Sequence, residues 1–202
     1  MPTTSSILYK LANLISTIGH PLLMLSVFVV FVSFQQLPIQ NAVLISGLLI
    51  GVVVLPVCLQ NYRKVRQGTY TNFDVSDRQQ RSGFYPGLIG LVALVTGIFI
   101  ATNQPLSFCY GMNATLLLLV ISYGVNFFIK ASLHTSLSFF LAWAIGLISP
   151  PLGVAMGIMA VAISASRLVL KRHSLIEVGT GALIGLIIGA CFYRLTNTPF
   201  LQ

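Results

Sequence analysis

The chain consists mainly of long apolar stretches separated by short polar segments. A helix that crosses the roughly 30 Å hydrocarbon core of a bilayer needs about 20 mostly apolar residues. Seven stretches approach that length, and each is predicted to be a membrane-spanning helix. They cover residues 21–34, 41–59, 86–102, 112–129, 133–149, 151–170 and 175–193. The pattern predicts an all-α fold, a polytopic membrane bundle of six to seven transmembrane helices that forms a single domain over residues 1–202.

A different pattern precedes the first of these stretches. Its apolar residues recur at helical spacing, and they are Ile7, Leu8, Leu11, Leu14, Ile15 and Ile18. Lys10 lies on the opposite side, so residues 5–19 are predicted to form an amphipathic helix in the membrane interface. The residue before a proline disfavours helix, and His20-Pro21 is therefore predicted to turn the chain into the first span. The alternative is one long span over residues 7–34.

Residues 60–85 form the longest polar stretch and are predicted to be a cytoplasmic loop, with the third span starting at Pro86. The composition agrees with a membrane protein. Only 7% of the residues are charged, against about 25% in an average soluble domain. The hydrophobic share is 56% and the mean hydropathy is +0.92. These values exclude an ordinary soluble enzyme, because the chain has too few charged residues to form a soluble surface. They also exclude a disordered chain, which needs more polar residues and fewer apolar ones.

The net charge of +8 is distributed unevenly over the predicted spans. With seven spans, the loops after spans two, four and six lie on the same side as the N-terminus. Ten of the eleven basic residues fall on that side: Lys10, Arg63, Lys64, Arg66, Arg78, Arg81, Lys130, Arg167, Lys171 and Arg172. Only Arg194 falls on the other side. The positive-inside rule predicts that the N-terminus and this charged face are cytoplasmic. The cations are expected to meet anionic lipid or substrate, and no nucleic acid partner is predicted.

Two short segments on the charged face carry candidate chemistry, residues 130–134 and residues 166–177. His173 and Glu177 are four residues apart and would share one face of a helix. A carboxylate in that position would accept the proton of one imidazole nitrogen and make the other nitrogen a nucleophile. A second histidine, His134, would serve as a general acid for the leaving oxygen.

Three further side chains in these segments are suited to holding a phosphate. Arg167 offers a planar fork of donors, Lys130 a point charge, and Ser132 one more hydrogen bond. The segments contain no spacing typical of metal ligands, so no metal and no cofactor is predicted. Two histidines, a carboxylate and several cations indicate metal-independent attack on phosphorus.

The two segments resemble the signatures of a known family. Residues 166–177 read S-R-x5-H-x3-E, which resembles the S-R-x5-H-x3-D signature of the type-2 phosphatidic acid phosphatase superfamily. Residues 131–134 read A-S-L-H, which resembles the P-S-G-H signature of the same superfamily. The superfamily includes lipid phosphate phosphatases, prenyl-diphosphate phosphatases and vanadium haloperoxidases. The resemblance is best over residues 130–193.

The resemblance implies a helical bundle that works without a metal and a set of roles for the site. His173 would form a phosphohistidine, and Glu177 would orient it. His134 would protonate the leaving group and later activate water. Arg167 and Ser132 would hold phosphate oxygens. The substrate would be a phospholipid, a lipid phosphate or a prenyl (di)phosphate that arrives from the bilayer.

The sequence also departs from the family pattern in its two matched signatures. Glu177 replaces an aspartate, and Ala131 and Leu133 replace the proline and glycine of the second signature. A leucine in place of glycine crowds the expected phosphate pocket. The departures keep open an alternative, a non-catalytic lipid-binding or scaffold protein of the same fold.

The first signature of the family, K-x6-R-P, is absent as such. Arg78-x6-Tyr85-Pro86 keeps its spacing but not its residues. Arg78 and Arg81 are three residues apart and are predicted to supply two phosphate-binding cations from one helix face. Lys130 is expected to take the place of the missing lysine.

A second alternative is an intramembrane, Mg²⁺-dependent prenyltransferase. Residues 72–74 and Asp77 resemble the acidic boxes with which such enzymes bind a diphosphate through Mg²⁺. Those enzymes carry two acidic boxes, whereas this chain has one partial box. Asp77 is also suited to capping a helix that starts after Ser76.

Glycines at four-residue spacing suggest close helix packing. They are Gly181, Gly185 and Gly189 in the last span, with the pairs Gly47/Gly51 and Gly153/Gly157. Small residues allow helix backbones to approach each other in lipid, and the primary expectation is packing within the chain. Self-association through these glycine-rich faces is a further expectation.

Overall fold

The computed structural model describes residues 4–197. Over this range the chain is helical, with no strand, so the all-α prediction is confirmed. The elements are α1 (Thr4–Ile18), α2 (Pro21–Gln36), α3 (Ile39–Leu48), a π-helical segment (Leu49–Val54), α4 (Leu55–Arg66), α5 (Arg78–Ala101), α6 (Leu106–Asn126), α7 (Leu133–Gly146), α8 (Pro150–Val169) and α9 (Leu175–Asn197). Each of the seven predicted apolar stretches lies largely within helix.

Five helices in the described range are long and apolar enough to cross a membrane, and a sixth span results if α1 and α2 form one bent span. The continuous helix Ile39–Arg66, which includes the π-helical segment, is one of the five. Helix α8 exposes Val154, Ile158 and Val161 on its outer side. Such apolar surface suits lipid and not water. The chain therefore has the helices expected of a multi-pass membrane protein. Helix α7, with 14 residues, is shorter than a usual membrane span.

The N-terminal segment contains the predicted break. Helices α1 and α2 meet at an angle of 48° around Gly19 and His20, so the turn before Pro21 is confirmed. Helix α1 packs along α8. A Cβ atom on Gly19 would lie 2.5 Å from Cγ1 of Ile163, which shows how closely this turn approaches α8. The position of α1 in the membrane interface stays a prediction.

The predicted loop over residues 60–85 is largely wrong. Helix α4 continues to Arg66 and α5 begins at Arg78, so only residues 67–77 are non-helical. Helix α5 begins eight residues before Pro86 because Asp77 caps it. One Asp77 carboxylate oxygen accepts hydrogen bonds from the backbone N–H groups of Gln79 and Gln80, at 2.9 and 3.0 Å.

The non-helical segment 67–77 is held by side chains of the flanking helices. Arg81 is buried, and its Nε donates to the Val75 carbonyl at 2.8 Å. The Asn61 side-chain amide donates to the Phe73 carbonyl at 3.0 Å. Buried backbone carbonyls need such partners, so this polar segment is an ordered connection.

Helix α6 begins at Leu106, six residues earlier than predicted. Polar residues near the start of this helix are satisfied within it. The Asn113 amide donates to the Cys109 carbonyl at 2.9 Å, and the Thr115 hydroxyl donates to the Gly111 carbonyl at 2.8 Å. Side-chain groups bonded in this way are tolerated inside an apolar helix.

The chain divides into two compact units. The first comprises Met1–Met24 and Phe127–Gln202, and the second comprises Leu25–Asn126. Both segments that resemble the phosphatase signatures belong to the first unit. Arg78 and Arg81 belong to the second unit. The expectation of a single domain stays a prediction.

The first unit is built around α7, which packs against both α8 and α9. The contact with α9 depends on glycines. A Cβ on Gly181 would lie 2.6 Å from the backbone oxygen of Ser132, and a Cβ on Gly185 would overlap the backbone oxygen of Ser136. At Gly189 it would overlap the ring of Trp143. The structural interpretation of this glycine run is therefore confirmed.

This packing bears on the predicted self-association. The glycine run of α9 is covered by α7 of the same chain, so that face is occupied. Gly153 is likewise close to Gly146. Gly47, Gly51 and Gly157 have open space beside them, and association through their faces stays a prediction.

Candidate active site

The end of α8 forms a tight turn that places His173. Lys171 N–H donates to the Leu168 carbonyl at 2.9 Å, and Arg172 N–H donates to the Arg167 carbonyl at 3.1 Å. This pair of bonds is a Schellman motif, and Lys171 occupies its left-handed position with φ of 53°. The His173 N–H also donates to the Arg167 carbonyl, at 3.4 Å. The backbone of Arg167 thus fixes the start of the segment that carries His173.

The start of α9 is a capping box formed by Ser174 and Glu177. The Ser174 N–H donates to Oε2 of Glu177 at 3.0 Å, and the Glu177 N–H donates to the Ser174 hydroxyl at 3.3 Å. The S-x-x-E spacing is typical of this motif. It could have been read from the sequence, which would have given Glu177 a structural role beside its predicted chemical one.

The same carboxylate oxygen contacts the candidate nucleophile. Nδ1 of His173 and Oε2 of Glu177 are 2.9 Å apart, so the predicted contact is present. His173 precedes α9, and the capping turn at Ser174, not a shared helix face, brings the two side chains together. An ionised carboxylate only accepts, so Nδ1 carries a hydrogen, and in a neutral ring the lone pair is then on Nε2. The His173 side chain is 0% exposed, and that of Glu177 is 21% exposed. The pair therefore has the orientation that a nucleophilic imidazole requires.

Lys130 approaches this pair from the segment before α7. Its Nζ lies 3.7 Å from Oε2 of Glu177 and donates to the Arg172 carbonyl at 3.1 Å. The structure thus places Lys130 beside the carboxylate at the α8–α9 junction. Its predicted contact with phosphate stays a prediction.

The start of α7 is joined to the same junction. Ser132 N–H donates to the Glu177 carbonyl at 3.1 Å. The Ser132 hydroxyl oxygen caps α7, with the Thr135 N–H at 3.5 Å and the Thr135 hydroxyl at 3.2 Å. A serine hydroxyl that accepts at its oxygen still carries one hydrogen to donate, and Ser132 itself is buried. His134, the second residue of α7, is buried at 3% exposure.

Arg167 is fully buried within the first unit. Its Nη1 donates to the hydroxyl of Ser16 on α1, at 2.6 Å. Ser16 is itself buried. Sequence analysis missed this contact because the two residues are 151 positions apart and no local pattern marks Ser16.

A third histidine also lies beside the site. The rings of His20 and His134 are 5.3 Å apart between centroids and meet edge to face at 85°. Nδ1 of His20 accepts the N–H of Leu22 at 3.3 Å, so His20 caps α2. Sequence analysis noted His20 only as the residue that turns the chain.

Arg78 and Arg81 do not share one environment. Arg78 is exposed, whereas Arg81 is buried and bonded to the 67–77 segment. Their predicted role in phosphate binding stays a prediction. Asp77, part of the acidic box suggested for a prenyltransferase, serves as the cap of α5. Capping gives this carboxylate a structural role that accounts for its position.

Comparisons with protein-family models, with curated proteins and with solved structures found no match to this chain. Within one unit, hydrogen bonds of 3.1–3.4 Å connect Lys130, Ser132 and the backbone of Arg167 to the segment that carries His173 and Glu177. The same unit holds the guanidinium of Arg167, bonded to Ser16, and the buried imidazole of His134.

Proposed function

We propose that the protein is a membrane-embedded, metal-independent lipid phosphatase that acts through a phosphohistidine. The observation that carries the proposal is the 2.9 Å contact between His173 Nδ1 and Glu177 Oε2, next to a buried Arg167 whose carbonyl holds the same turn. This contact favours the tautomer in which Nε2 carries the lone pair, which is what a nucleophilic imidazole needs.

The first chemical step transfers the phosphoryl group to the enzyme. Nε2 of His173 attacks phosphorus, and the P–N bond forms as the P–O bond to the lipid breaks. His134 donates a proton to the departing oxygen. The leaving group is an alcohol when the substrate is a lipid phosphate, and a prenyl monophosphate when it is a prenyl diphosphate. Arg167 and Ser132 hold the phosphoryl oxygens, where charge builds up in the transition state. Glu177 stabilises the imidazolium that forms at His173.

The second step regenerates the enzyme. His134, now neutral, accepts a proton from a water molecule that attacks phosphorus. The P–N bond breaks, its electron pair returns to Nε2, and inorganic phosphate leaves. The two steps together consume one water per ester bond and require no redox partner. Metal ions are not needed because the guanidinium and hydroxyl supply the stabilising charge and hydrogen bonds.

The substrate class follows from the surroundings of the site. Residues 4–197 include five or six candidate membrane-spanning helices, and apolar residues are exposed along them. A phosphate carried by a lipid or prenyl tail would share this environment, and the tail would keep the head group near the charged helix ends. We therefore propose a phospholipid, a lipid phosphate or a prenyl (di)phosphate as substrate.

Phosphate release by the purified protein tests the activity. In detergent, we expect release of inorganic phosphate from at least one of phosphatidic acid, lysophosphatidic acid and a prenyl diphosphate. The rate should be the same in the presence of EDTA. Complete loss in EDTA with restoration by Mg²⁺ would indicate the prenyltransferase-like alternative. Retention of bound phospholipid without turnover on any substrate would indicate the lipid-binding or scaffold alternative.

Glu177→Gln separates the capping role of this residue from its chemical role. Glutamine still completes a capping box, so the midpoint of thermal unfolding should stay close to that of wild type. The neutral amide cannot stabilise an imidazolium, and we expect kcat to fall about a hundredfold or more. Arg63→Ala, an exposed substitution in the other unit, is the control and should leave kcat unchanged. An active Glu177→Gln enzyme would contradict the assigned role.

We further propose that the N-terminus and the charged face are cytoplasmic, because ten of the eleven basic residues fall there under seven spans. Segment 67–77 should then be accessible only from the cytoplasmic side. Single cysteines placed at exposed Gly68 or Thr71 should react with an impermeant thiol reagent in inverted vesicles and not in intact cells. Reaction in intact cells would overturn this orientation.

A further inference from the structure

The turn between α1 and α2 brings two polar side chains to the candidate site. It is held by the Gly19 N–H, which donates to the Ile15 carbonyl at 2.8 Å, and by the His20 N–H, which donates to the Thr17 carbonyl at 3.2 Å. Gly19 approaches Ile163 of α8 so closely that a Cβ would overlap its side chain. The turn therefore has a fixed position within the first unit.

Ser16 acts on the guanidinium that would hold the phosphate. Its hydroxyl accepts from Nη1 of Arg167 at 2.6 Å, and both residues are buried. A hydrogen bond to a charged group is stronger than one between neutral groups. An arginine held at one nitrogen keeps its fork in one orientation, which reduces the entropy lost when phosphate binds.

His20 acts on the histidine that would protonate the leaving group. A backbone N–H can only donate, so the 3.3 Å contact with Leu22 requires a lone pair on Nδ1 of His20. This capping bond fixes the plane of the His20 ring. The ring in turn meets His134 edge to face at 5.3 Å and limits the orientations open to it.

We propose that Ser16 and His20 are positioning residues of the site, Ser16 for Arg167 and His20 for His134. Two residues of the N-terminal segment would then hold the groups that bind and protonate the substrate. This inference rests on the proposed phosphatase function. It predicts different kinetic effects for the two residues, because one acts through the phosphate-binding group and the other through the acid.

The experiment compares matched variants in detergent. Ser16→Ala removes the hydroxyl, and Ser16→Thr retains it. Thr17→Ala removes the adjacent exposed hydroxyl, which donates to the Asn13 carbonyl of its own helix. His20→Asn keeps a side-chain acceptor that caps α2 but removes the imidazole. The readouts are kcat, KM, the inhibition constant for inorganic phosphate, and the pH profile of kcat.

We expect Ser16→Ala to raise KM and the inhibition constant for phosphate about tenfold, with a smaller change in kcat. Ser16→Thr should restore both values, and Thr17→Ala should match wild type. His20→Asn should lower kcat and move a limb of its pH profile, with the phosphate inhibition constant unchanged. An active wild type with neither response would overturn the inference and leave the phosphatase function standing. A wild type inactive on every lipid would overturn both.

Discussion

His173→Ala is expected to lower phosphate release by at least about a thousandfold, because removal of a covalent nucleophile leaves only the catalysis that binding and charge stabilisation provide. The effect should appear in kcat, since Arg167 and Ser132 still hold the phosphate. The measurement is phosphate release from the best lipid of the panel at saturating concentration. Inhibition by inorganic phosphate, measured on the wild type and on weakly active variants, reports binding separately.

A trapping experiment tests the same residue without relying on turnover. Phosphohistidine is stable in alkali and labile in acid, so wild type quenched in alkali after mixing with radiolabelled substrate should retain label on the protein. His173→Ala should retain none. His134 also activates the water of the second step, so His134→Ala should slow hydrolysis of the phosphohistidine. With a substrate whose leaving group departs without protonation, this variant should therefore accumulate more label than wild type. Equal phosphate release from His173→Ala and wild type would overturn the mechanism.

Gly185→Leu is expected to have the largest effect on folding. A side chain on Gly185 would occupy the space of the Ser136 backbone oxygen, and a backbone cannot rotate away as a flexible side chain can. Separation of α7 from α9 should lower the free energy of unfolding by at least about 3 kcal/mol, the upper range for overpacking in a core. The midpoint of thermal unfolding in detergent measures the loss.

Gly179→Leu is the matched control on the same helix. It has open space beside it, so leucine should change the free energy of unfolding by no more than about 1 kcal/mol, and in the favourable direction. Similar losses in the two variants would contradict the packing role of the α9 glycine run. A loss of unfolding free energy in Gly185→Leu alone would show that the glycine face covered by α7, and not α9 as a whole, is sensitive to added side chains.

The sequence permitted prediction of those features that depend on local spacing. His173 and Glu177 are four residues apart, and their contact was expected from that spacing, although it forms across the capping turn at Ser174 and not along a helix that contains both residues. The turn at His20-Pro21 follows from a local steric rule. The true start of α5 at Arg78 was missed because a search for apolar stretches discards the polar first turns of a helix, although Asp77 was recognised as a candidate cap.

Contacts between distant parts of the chain could not be predicted in this way. Nothing near Ser16 indicates that its hydroxyl meets Arg167, because the contact depends on how α1 packs along α8. The position of Lys130 beside Glu177 likewise depends on the approach of α7 to α9. The glycine spacing indicated close packing, but the partner helix became identifiable only in the folded chain.

The complete covering of the His173 side chain sets a condition on the proposed catalysis. Under the proposed mechanism, Nε2 would reach phosphorus only in conformers in which the groups that cover the ring have moved. If one molecule in a hundred were open, the apparent dissociation constant for substrate would exceed the intrinsic one about a hundredfold. The lipid that binds would then select the open form, and its tail would contribute to the rate as well as to affinity by stabilising that conformer.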